Sequence, residues 1–278
     1  MPICNICNFE MMGGAIRQIK SDYVVAIPSY DRVKMLLQDT LPTLLRQGVP
    51  PSKINIFVAN KEQEELYKTG VPKKSYNNII VGVKGLDKQL QFIKDYYSQG
   101  SNIIIFHDDI SSVFKKKGDN DKKEINLDEL FKSAFKKLKE LGLTLWSVNK
   151  VANPFFMTNG YTTDLRLIPG NFFGYINSNN PSYDFKIKDN YTAEDIERSI
   201  RYYITDGGVL RFNDYGFKTK PLNVGGIQTD LGSNKKRIIK VRKATKQLKK
   251  LYPNFGEIKP HKDQEVIFNL HRNPEKNI

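Results

Sequence analysis

The most informative segment of this sequence reads Asn102-Ile103-Ile104-Ile105-Phe106-His107-Asp108-Asp109. An apolar run without polar alternation predicts a strand that is buried on both faces, near the centre of a sheet. The two carboxylates that follow it repel each other unless a cation lies nearby. A divalent metal ion that also binds a diphosphate would supply that cation. A helix-capping aspartate beside a solvated one is the alternative interpretation.

Strands and helices alternate on the N-terminal side of this segment. The strands are predicted at residues 23–27, 54–58 and 78–83, and the helices at 33–47, 61–68 and 86–97. This alternation predicts a parallel sheet with helices on both faces. In such sheets, ligands bind at the carboxyl ends of the strands.

The C-terminal half is less regular. A surface loop is predicted at 114–123, a strand at 144–148 and a strand at 209–212, with helices at 127–141, 192–204 and 233–252. Thr192 would cap the second of these helices. Between 149 and 189 the pattern loosens, and a β-ribbon is expected around Arg166 and Phe172-Phe173. We expect a single α/β domain over 22–230, with an N-terminal segment at 1–21 and a basic helix and tail at 231–278 packed on it.

The composition limits the class of protein and its partners. The chain has 278 residues and a net charge of +14, with basic runs at 115–117, 132–139 and 235–250. Such an excess favours a polyanionic partner, nucleic acid or an anionic membrane, although any single run is equally consistent with a solvated helix face. Cys4 and Cys7 lack a second pair at zinc-site spacing. We therefore expect reduced thiols, with a zinc site shared between chains as the alternative.

No apolar run reaches the length of a membrane span, and the N-terminus lacks a secretion-signal pattern. These observations argue against a membrane-spanning or secreted protein. A soluble protein of the cytoplasm is the expectation.

Two turns in the first half carry residue types suited to a nucleotide. The first predicted strand runs into Pro28-Ser29-Tyr30-Asp31-Arg32, where a tyrosine can stack on a base and an arginine can approach a phosphate. Lys84-Gly85 opens the helix at 86–97, where glycine permits close backbone approach and lysine can neutralise phosphate. Each turn alone is equally consistent with an ordinary connection.

Two further segments in the second half have candidate roles. Glu194-Asp195 stands at a helix start, where the helix dipole favours ionised carboxylates and one of them could act as a base. Gly225-Gly226 follows a strand, and its backbone amides could hold a phosphate. Dipole capping and an ordinary loop are the respective alternatives.

Taken in order, these segments resemble the GT-A glycosyltransferases, and within them the TET/JBP-associated glycosyltransferases of phages and base J systems. The ordered motifs are a Pro-Ser-Tyr-x-Arg turn, a Lys-Gly-x-x-x-Gln helix start, an Asp-Asp strand end, a Gly-Asn-x-x-Gly segment, a Glu-Asp helix start, an Arg-x-Asn strand and a Gly-Gly-x-Gln loop. The resemblance covers roughly residues 22–230. It implies a Rossmann-like single domain with a mostly parallel central sheet and helices on both faces.

The resemblance also implies roles for individual residues. The donor would be a UDP-sugar, and its nucleotide would contact Pro28, Ser29, Tyr30, Arg32, Lys84, Gly85, Gln89 and Asp108. Asp109 would hold Mn²⁺ or Mg²⁺, with His107 and a C-terminal histidine, His261 before His271, as further candidate ligands. Asp195, rather than Glu194, would be the catalytic base of an inverting enzyme. Gly170, Asn171, Gly225, Gly226 and Gln228 would form an acceptor or phosphate loop. The acidic motif departs from the family's Asp-x-Asp, because it reads His-Asp-Asp.

The acceptor implied by this subfamily is a hydroxymethylated pyrimidine in DNA, hydroxymethyluracil or hydroxymethylcytosine, in the host cytoplasm if a phage encodes the protein. The basic charge supports DNA independently. A modified base must leave the stack of the DNA duplex. The aromatic residues expected to receive it are Phe155, Phe156, Tyr161, Phe172, Phe173 and Tyr175. Packing in the protein core is the alternative explanation for these residues. The alternatives are a transferase for polysaccharide or protein acceptors, an inactive DNA-binding relative and a nucleotidyltransferase.

Overall fold

The computed structural model describes residues 22–187, 193–220, 234–262 and 265–275. Within these ranges, none of the helices combines the length and the hydropathy that a membrane crossing requires. Cys4, Cys7 and the rest of the predicted segment 1–21 lie outside the described residues, as does Thr192.

A ten-stranded mixed sheet forms the centre of the molecule. Its strands are β1 Val24–Pro28, β2 Ile54–Val58, β3 Asn78–Val81, β4 Asn102–Phe106, β5 Ile110–Lys116, β6 Lys122–Glu124, β7 Leu145–Asn149, β8 Tyr161–Thr162, β9 Phe172–Ile176 and β10 Leu210–Thr219. Nine of them follow the order β3-β2-β1-β4-β9-β7-β10-β5-β6, and β8 pairs with β10. The strands from β3 to β4 are mutually parallel, and β9 is antiparallel to both of its neighbours. A two-stranded hairpin, β11 Gly256–His261 and β12 Glu265–Leu270, lies apart from this sheet.

Helices cover both faces of the sheet. They are α1, which consists of Val33–Met35, a π-helical turn Leu36–Thr40 and Leu41–Arg46, followed by α2 Lys61–Gly70, α3 Leu86–Tyr96, α4 Leu127–Leu141, α5 Glu194–Asp206 and α6 Asn234–Leu251. Apolar residues of α1, α2 and α4 join one core, and those of α3, α5 and α6 join a second core on the opposite face. The predicted parallel arrangement of the N-terminal strands, β3-β2-β1-β4, with helices on both faces is confirmed, and the strands beyond β4 make the whole sheet mixed.

The apolar run Ile103–Phe106 forms the interior of β4, and each of its side chains is fully buried. Burial of each isoleucine contributes roughly 2 kcal/mol to folding. β4 lies between β1 and β9, so one core covers each of its faces. The turn that follows β4 is therefore held at the middle of the sheet edge.

The single tryptophan marks the larger aromatic cluster of the core. Trp146 in β7 is fully buried. Its ring centroid lies 6.1 Å from that of Phe131, 5.8 Å from Phe172 and 6.0 Å from Phe212. These contacts join α4 to three adjacent strands.

The predicted surface loop at 114–123 is wrong. Its residues belong to the antiparallel pair β5–β6, and only the segment between Lys116 and Lys122 turns. Val113 and Phe114 are buried, whereas Lys117, Lys122 and Lys123 are exposed. The many lysines made this segment resemble a loop in the sequence. A strand near the edge of a sheet buries few side chains, so its apolar alternation is short.

The region between β8 and α5 also differs from expectation. No ribbon forms around Arg166, which lies outside the strands; Phe172–Ile176 is instead inserted as a single strand between β4 and β7. Gly174 permits this insertion, because a Cβ there would collide with the indole of Trp146. α5 begins at Glu194, and its N-cap position is Ala193.

Candidate functional site

An open cleft lies at the carboxyl ends of β1, β3 and β4. This is the edge at which a parallel sheet binds its ligands. The residues that line the cleft are Pro28, Ser29, Tyr30, Arg32, Ala59, Val83, Lys84, Gly85, Leu86, Gln89, His107, Asp108 and Asp109. The structure thus brings together the three N-terminal segments that the sequence singled out.

Asp108 is held inside the protein by two partners. Ser29 Oγ donates to Asp108 Oδ2 at 2.5 Å, and Arg32 Nη1 donates to Asp108 Oδ1 at 3.2 Å. Tyr67 Oη lies 2.6 Å from Ser29 Oγ and accepts the Arg32 backbone N–H at 3.0 Å. Burial raises the pKa of Asp108, and the positive charge of Arg32 opposes that rise. This network joins the ends of β1 and β4.

Asp109 has a different environment from its neighbour. Its side chain is buried, and its Oδ1 has no hydrogen-bond partner among the described residues. Burial and the negative charge of Asp108 raise the pKa of Asp109 to about 6. A buried carboxylate oxygen without a donor is stabilised when a cation binds it. Asp109 therefore suits a metal ion better than Asp108 does.

His107 contributes a neutral ring to the same turn. Burial lowers the pKa of His107 to about 3, helped by the positive charges of Arg32 and Arg198. The imidazole is therefore neutral at physiological pH. Within the part of the chain that the structure describes, its buried Nε2 has no hydrogen-bond partner. A neutral ring nitrogen is a metal ligand in principle.

The turn that carries these residues is fixed from two sides. Thr40, the last residue of the π-helical turn of α1, donates its hydroxyl to His107 O at 2.8 Å and accepts the Ile110 N–H at 3.1 Å. On the other side, His107 N donates to Asn171 O at 2.9 Å. Asn171 therefore lies against the acidic turn.

The side of the cleft that contains Lys84 and Gly85 is shaped by the start of α3. Gln89 accepts the Val83 N–H at 2.8 Å and donates to Val58 O at 3.3 Å. Gly85 has φ of +102°, a conformation that other residues rarely adopt. Lys84 Nζ lies 5.1 Å from the centroid of the Tyr30 ring. Gln89 thus positions the turn, while Lys84 and Tyr30 present a cation and an aromatic face at the cleft.

Glu194 and Asp195 form the first turn of α5, next to the predicted Gly-Asn segment. A Cβ at Gly170 would collide with the Glu194 carboxylate and come within 3.5 Å of Asp195 Cβ. Burial and the negative charge of Asp195 raise the pKa of Glu194 to about 8. Glu194 is therefore mainly protonated at neutral pH. Asp195 is more exposed, and its Oδ1 accepts the N–H of Ile196 at 2.9 Å.

The described residues contain no group of three or more His, Cys, Asp and Glu side chains that could hold a metal ion. His107, Asp109 and His261 therefore do not form one cluster, and His261 lies in the separate hairpin strand β11. His271 Nδ1 lies 3.1 Å from Asn254 O. The predicted loop residues Gly225, Gly226 and Gln228 lie outside the described residues.

The predicted aromatic acceptor residues fall into two groups. Phe172, Phe173 and Tyr175 belong to the buried cores. In contrast, Phe155, Phe156 and Tyr161 are 61%, 67% and 45% exposed. Only the second group is available to a large partner on the surface.

Three residues at the site escaped the sequence analysis. Thr40 and Tyr67 act across long sequence separations, and no local pattern identifies them. Arg198 lies one helical turn after Glu194, with Arg198 Nη1 3.8 Å from Glu194 Oε1, so helical spacing could have indicated it. Its guanidinium also stacks over Phe173 at 3.8 Å from the ring centroid.

Comparisons with known proteins agree with this architecture. No protein-family model and no curated protein matches the chain. Among solved structures, the chain is similar to S. aureus TarS 1–349 in complex with UDP-GlcNAc, with 12% identity and a TM-score of 0.53; the match covers 82% of this chain and 66% of that one.

Two further similarities are weaker. The mannosyltransferase PcManGT from Pyrobaculum calidifontis, in complex with GDP-Man and Mn²⁺, is 12% identical with a TM-score of 0.45, over 81% of this chain and 64% of that one. A mycobacterial protein is 8% identical with a TM-score of 0.46, over 91% and 83%. With TM-scores below 0.5, neither of these two similarities is evidence for the fold. The similarity to TarS, together with the strand order, shows that the chain has the mixed α/β fold of the GT-A type.

Proposed function

We propose that this protein is a metal-dependent glycosyltransferase that takes a hexose from a UDP-sugar. The observation that carries the proposal is the buried Asp109 carboxylate, whose Oδ1 lacks a partner, at a cleft lined by Tyr30, Lys84 and Gly85. A carboxylate, a cation, an aromatic face and a glycine turn are the groups that a metal-bound nucleoside diphosphate requires.

The residues present fit Mn²⁺ or Mg²⁺ bound together with a diphosphate. Such ions commonly take one or two carboxylates from the protein and complete their shell with phosphate oxygens and water. Asp109 would be the principal ligand, with His107 beside it; Asp108 is already bound by Ser29 and Arg32. When bound, the metal would neutralise charge that develops on the leaving diphosphate.

The acid pair at the start of α5 supplies the candidate base. Glu194, with its pKa of about 8, is a poor base at neutral pH, whereas Asp195 is more exposed to an incoming acceptor. In the proposed step, Asp195 removes the proton of the acceptor hydroxyl, and the oxygen of that hydroxyl forms a bond to the anomeric carbon of the sugar. The bond from that carbon to the UDP oxygen breaks, and the sugar configuration inverts.

We further propose that the acceptor is a hydroxymethylated pyrimidine in DNA. The resemblance of the ordered motifs supports this assignment, and so does the net charge of +14. The structure adds a basic face on α6: Lys243, Lys246 and Lys250 are exposed, and Val241 and Leu248 are buried. Tyr252 directly after α6 donates its hydroxyl to Glu197 of α5 at 3.0 Å. The basic helix therefore packs next to the helix that carries the candidate base.

Two measurements test the proposal. UDP release from a panel of UDP-sugars with Mn²⁺ tests the donor half, and Asp109→Ala should abolish it. Mass spectrometry of DNA containing hydroxymethyluracil or hydroxymethylcytosine, incubated with the same panel, tests the acceptor half. Release of UDP with polysaccharide or protein, and none with DNA, would leave the donor assignment intact and refute the acceptor.

A further inference from the structure

Two neighbouring phenylalanines are exposed on the short helical turn Pro154–Phe156. Phe155 and Phe156 are 61% and 67% exposed, and their ring centroids lie 5.2 Å apart at an interplanar angle of 90°. The Asn153 side chain accepts the Phe155 N–H at 3.0 Å, and both Pro154 and Met157 are buried. The ends of the turn are thus anchored while its two rings face solvent, which argues for a partner.

The turn rests on a lysine-bearing face of the sheet. Lys116 Nζ donates to Met157 O at 3.0 Å. A Cβ at Gly216 of β10 would collide with Val151 O and with the Met157 side chain, so the segment 151–157 lies directly over this strand. The turn and the strands β5, β6 and β10 form one continuous surface.

Strand register places further lysines on the same face. Lys116 pairs with Lys122, and Ser112 pairs with Lys218. Ser112 and Lys116 are four residues apart in β5, so they point to the same side of the sheet, and their partners point there too. Lys122 and Lys218 are both exposed. Partial burial lowers the pKa of Lys122, and the positive charge of Lys218 lowers it further. Two neighbouring ammonium groups favour a shared anion.

This face adjoins the candidate site at two points. Lys150 is exposed, and its positive charge acts on the Glu194 carboxyl. At the other end, the Lys220 N–H donates to Asp109 O at 3.2 Å, two residues after Lys218. A strand of nucleic acid lying across this face would reach both the candidate base and the acidic turn.

From this geometry, we propose that one surface binds the acceptor nucleic acid, with aromatic rings stacking on bases and lysines contacting phosphates. This Phe–Lys surface consists of Phe155, Phe156, Lys122, Lys150 and Lys218. This proposal rests on the proposed function. Aromatic rings beside a line of cations are typical of surfaces that bind unstacked nucleotides. A base that leaves the DNA duplex leaves a gap in the base stack, and an aromatic side chain can fill that gap.

Fluorescence anisotropy with a fluorescein-labelled duplex that contains hydroxymethylcytosine tests the proposal. Phe155→Ala/Phe156→Ala should weaken binding about tenfold or more, because stacking on each base is lost, and Phe155→Trp/Phe156→Trp should retain the affinity. Lys122→Gln/Lys218→Gln should reduce the slope of log affinity against log salt by about 1 to 2. The matched controls are Leu66→Ala, an exposed apolar residue of α2, and Lys73→Gln/Lys74→Gln, an exposed pair that removes the same charge.

Wild-type DNA affinity in Phe155→Ala/Phe156→Ala would overturn the proposal. If the same variant also loses co-sedimentation with phosphatidylserine vesicles, the surface would be assigned to lipid instead. Calorimetric titration of UDP with Mn²⁺ on the same proteins separates this question from the proposed function. If the wild type does not bind UDP, the donor assignment is refuted. If the variants keep the DNA affinity of the wild type, only the assignment of the Phe–Lys surface is refuted.

Discussion

Asp108 and Asp109 are adjacent and chemically identical, yet the fold gives them opposite surroundings. Asp108 receives hydrogen bonds from Ser29 and Arg32, so its charge is compensated within the protein. Asp109 is buried beside that charge with one oxygen unpartnered. The protein without metal therefore carries an electrostatic cost at Asp109, and a bound cation would relieve it.

This cost predicts that Asp109→Asn stabilises the metal-free protein at high pH. The folded-state pKa of about 6 lies above the ordinary value of 3.8, so the ionised carboxylate is disfavoured by folding. The cost is absent below pH 4, grows as the pH rises towards 6, and is complete above it. Urea unfolding should show the variant more stable by on the order of 2 kcal/mol at pH 8, with no difference at pH 4.

The substitution should also abolish stabilisation by Mn²⁺ with UDP. Glu65→Gln, at an exposed position of α2, serves as the control. An Asp109→Asn protein that is less stable than the wild type at pH 8 would show that Asp109 has a partner that offsets its burial.

The second residue-scale prediction separates Glu194 from Asp195. Asp195→Asn should lower the transfer rate by about 100-fold or more, because a positioned base contributes at least that much. Glu194→Gln resembles the protonated form that prevails at neutral pH, so it should reduce the rate by less than about tenfold. Single-turnover transfer at pH 7 measures both. The reverse order of effects would move the base to Glu194.

At the scale of elements, the first turn of α5 is positioned by the segment in front of β9. Gly170 packs against Glu194 without space for a methyl group, and Asn171 O receives the His107 N–H. This short segment therefore touches both the acid pair and the acidic turn after β4. Its conformation sets the distance between the two halves of the site.

Gly170→Ala should consequently impair transfer more than donor binding. The added methyl group displaces the start of α5, because the three atoms nearest to it belong to Glu194 and Asp195, and neither residue lines the cleft. Transfer kinetics and UDP titration with Mn²⁺ on the same protein measure the difference. Gly118→Ala is the control, because the nearest atom to its added Cβ lies 4.0 Å away. Equal loss in both measurements would indicate a general disturbance of the fold.

The elements also show where sequence reasoning succeeds. Short apolar-rich runs predicted β2 and β4, and helical spacing of apolar residues predicted α4; all three agree with the structure at both ends. β10 extends seven residues beyond the predicted end at Phe212. Polar residues interrupt the apolar pattern in this extension, which lies at the edge of the cores, so the sequence did not indicate it. The hairpin β11–β12 was not predicted, because its strands have few buried residues.

Contacts between distant elements explain what the sequence could not reveal about the site. Thr40 holds the turn after β4 from 67 residues away, and Tyr67 supports Ser29 across 38 residues. The strand-end rule placed Ser29, Tyr30 and Asp109 at one edge, since it depends only on strand direction. The division of roles between Asp108 and Asp109 depends on side-chain packing, which no local pattern encodes.

For the whole molecule, the charge of +14 predicts salt-dependent stabilisation by DNA. A ligand that binds only the folded state raises the melting temperature, and phosphate contacts weaken steeply with salt. Differential scanning fluorimetry should show an increase with duplex DNA in low salt. The increase should vanish near 1 M salt, where the Debye length is about 3 Å. An equal increase at both salt concentrations would exclude an electrostatic interface.

The aromatic cluster around Trp146 has a practical consequence for anyone who studies this protein in solution. The indole lies among Phe131, Phe172 and Phe212, between α4 and the sheet, and it does not line the cleft. Its intrinsic emission should therefore be blue-shifted and should follow denaturation of the whole core. Occupancy by a nucleotide should leave that emission unchanged, so titrations that rely on it would record no signal, and an extrinsic fluorophore is needed.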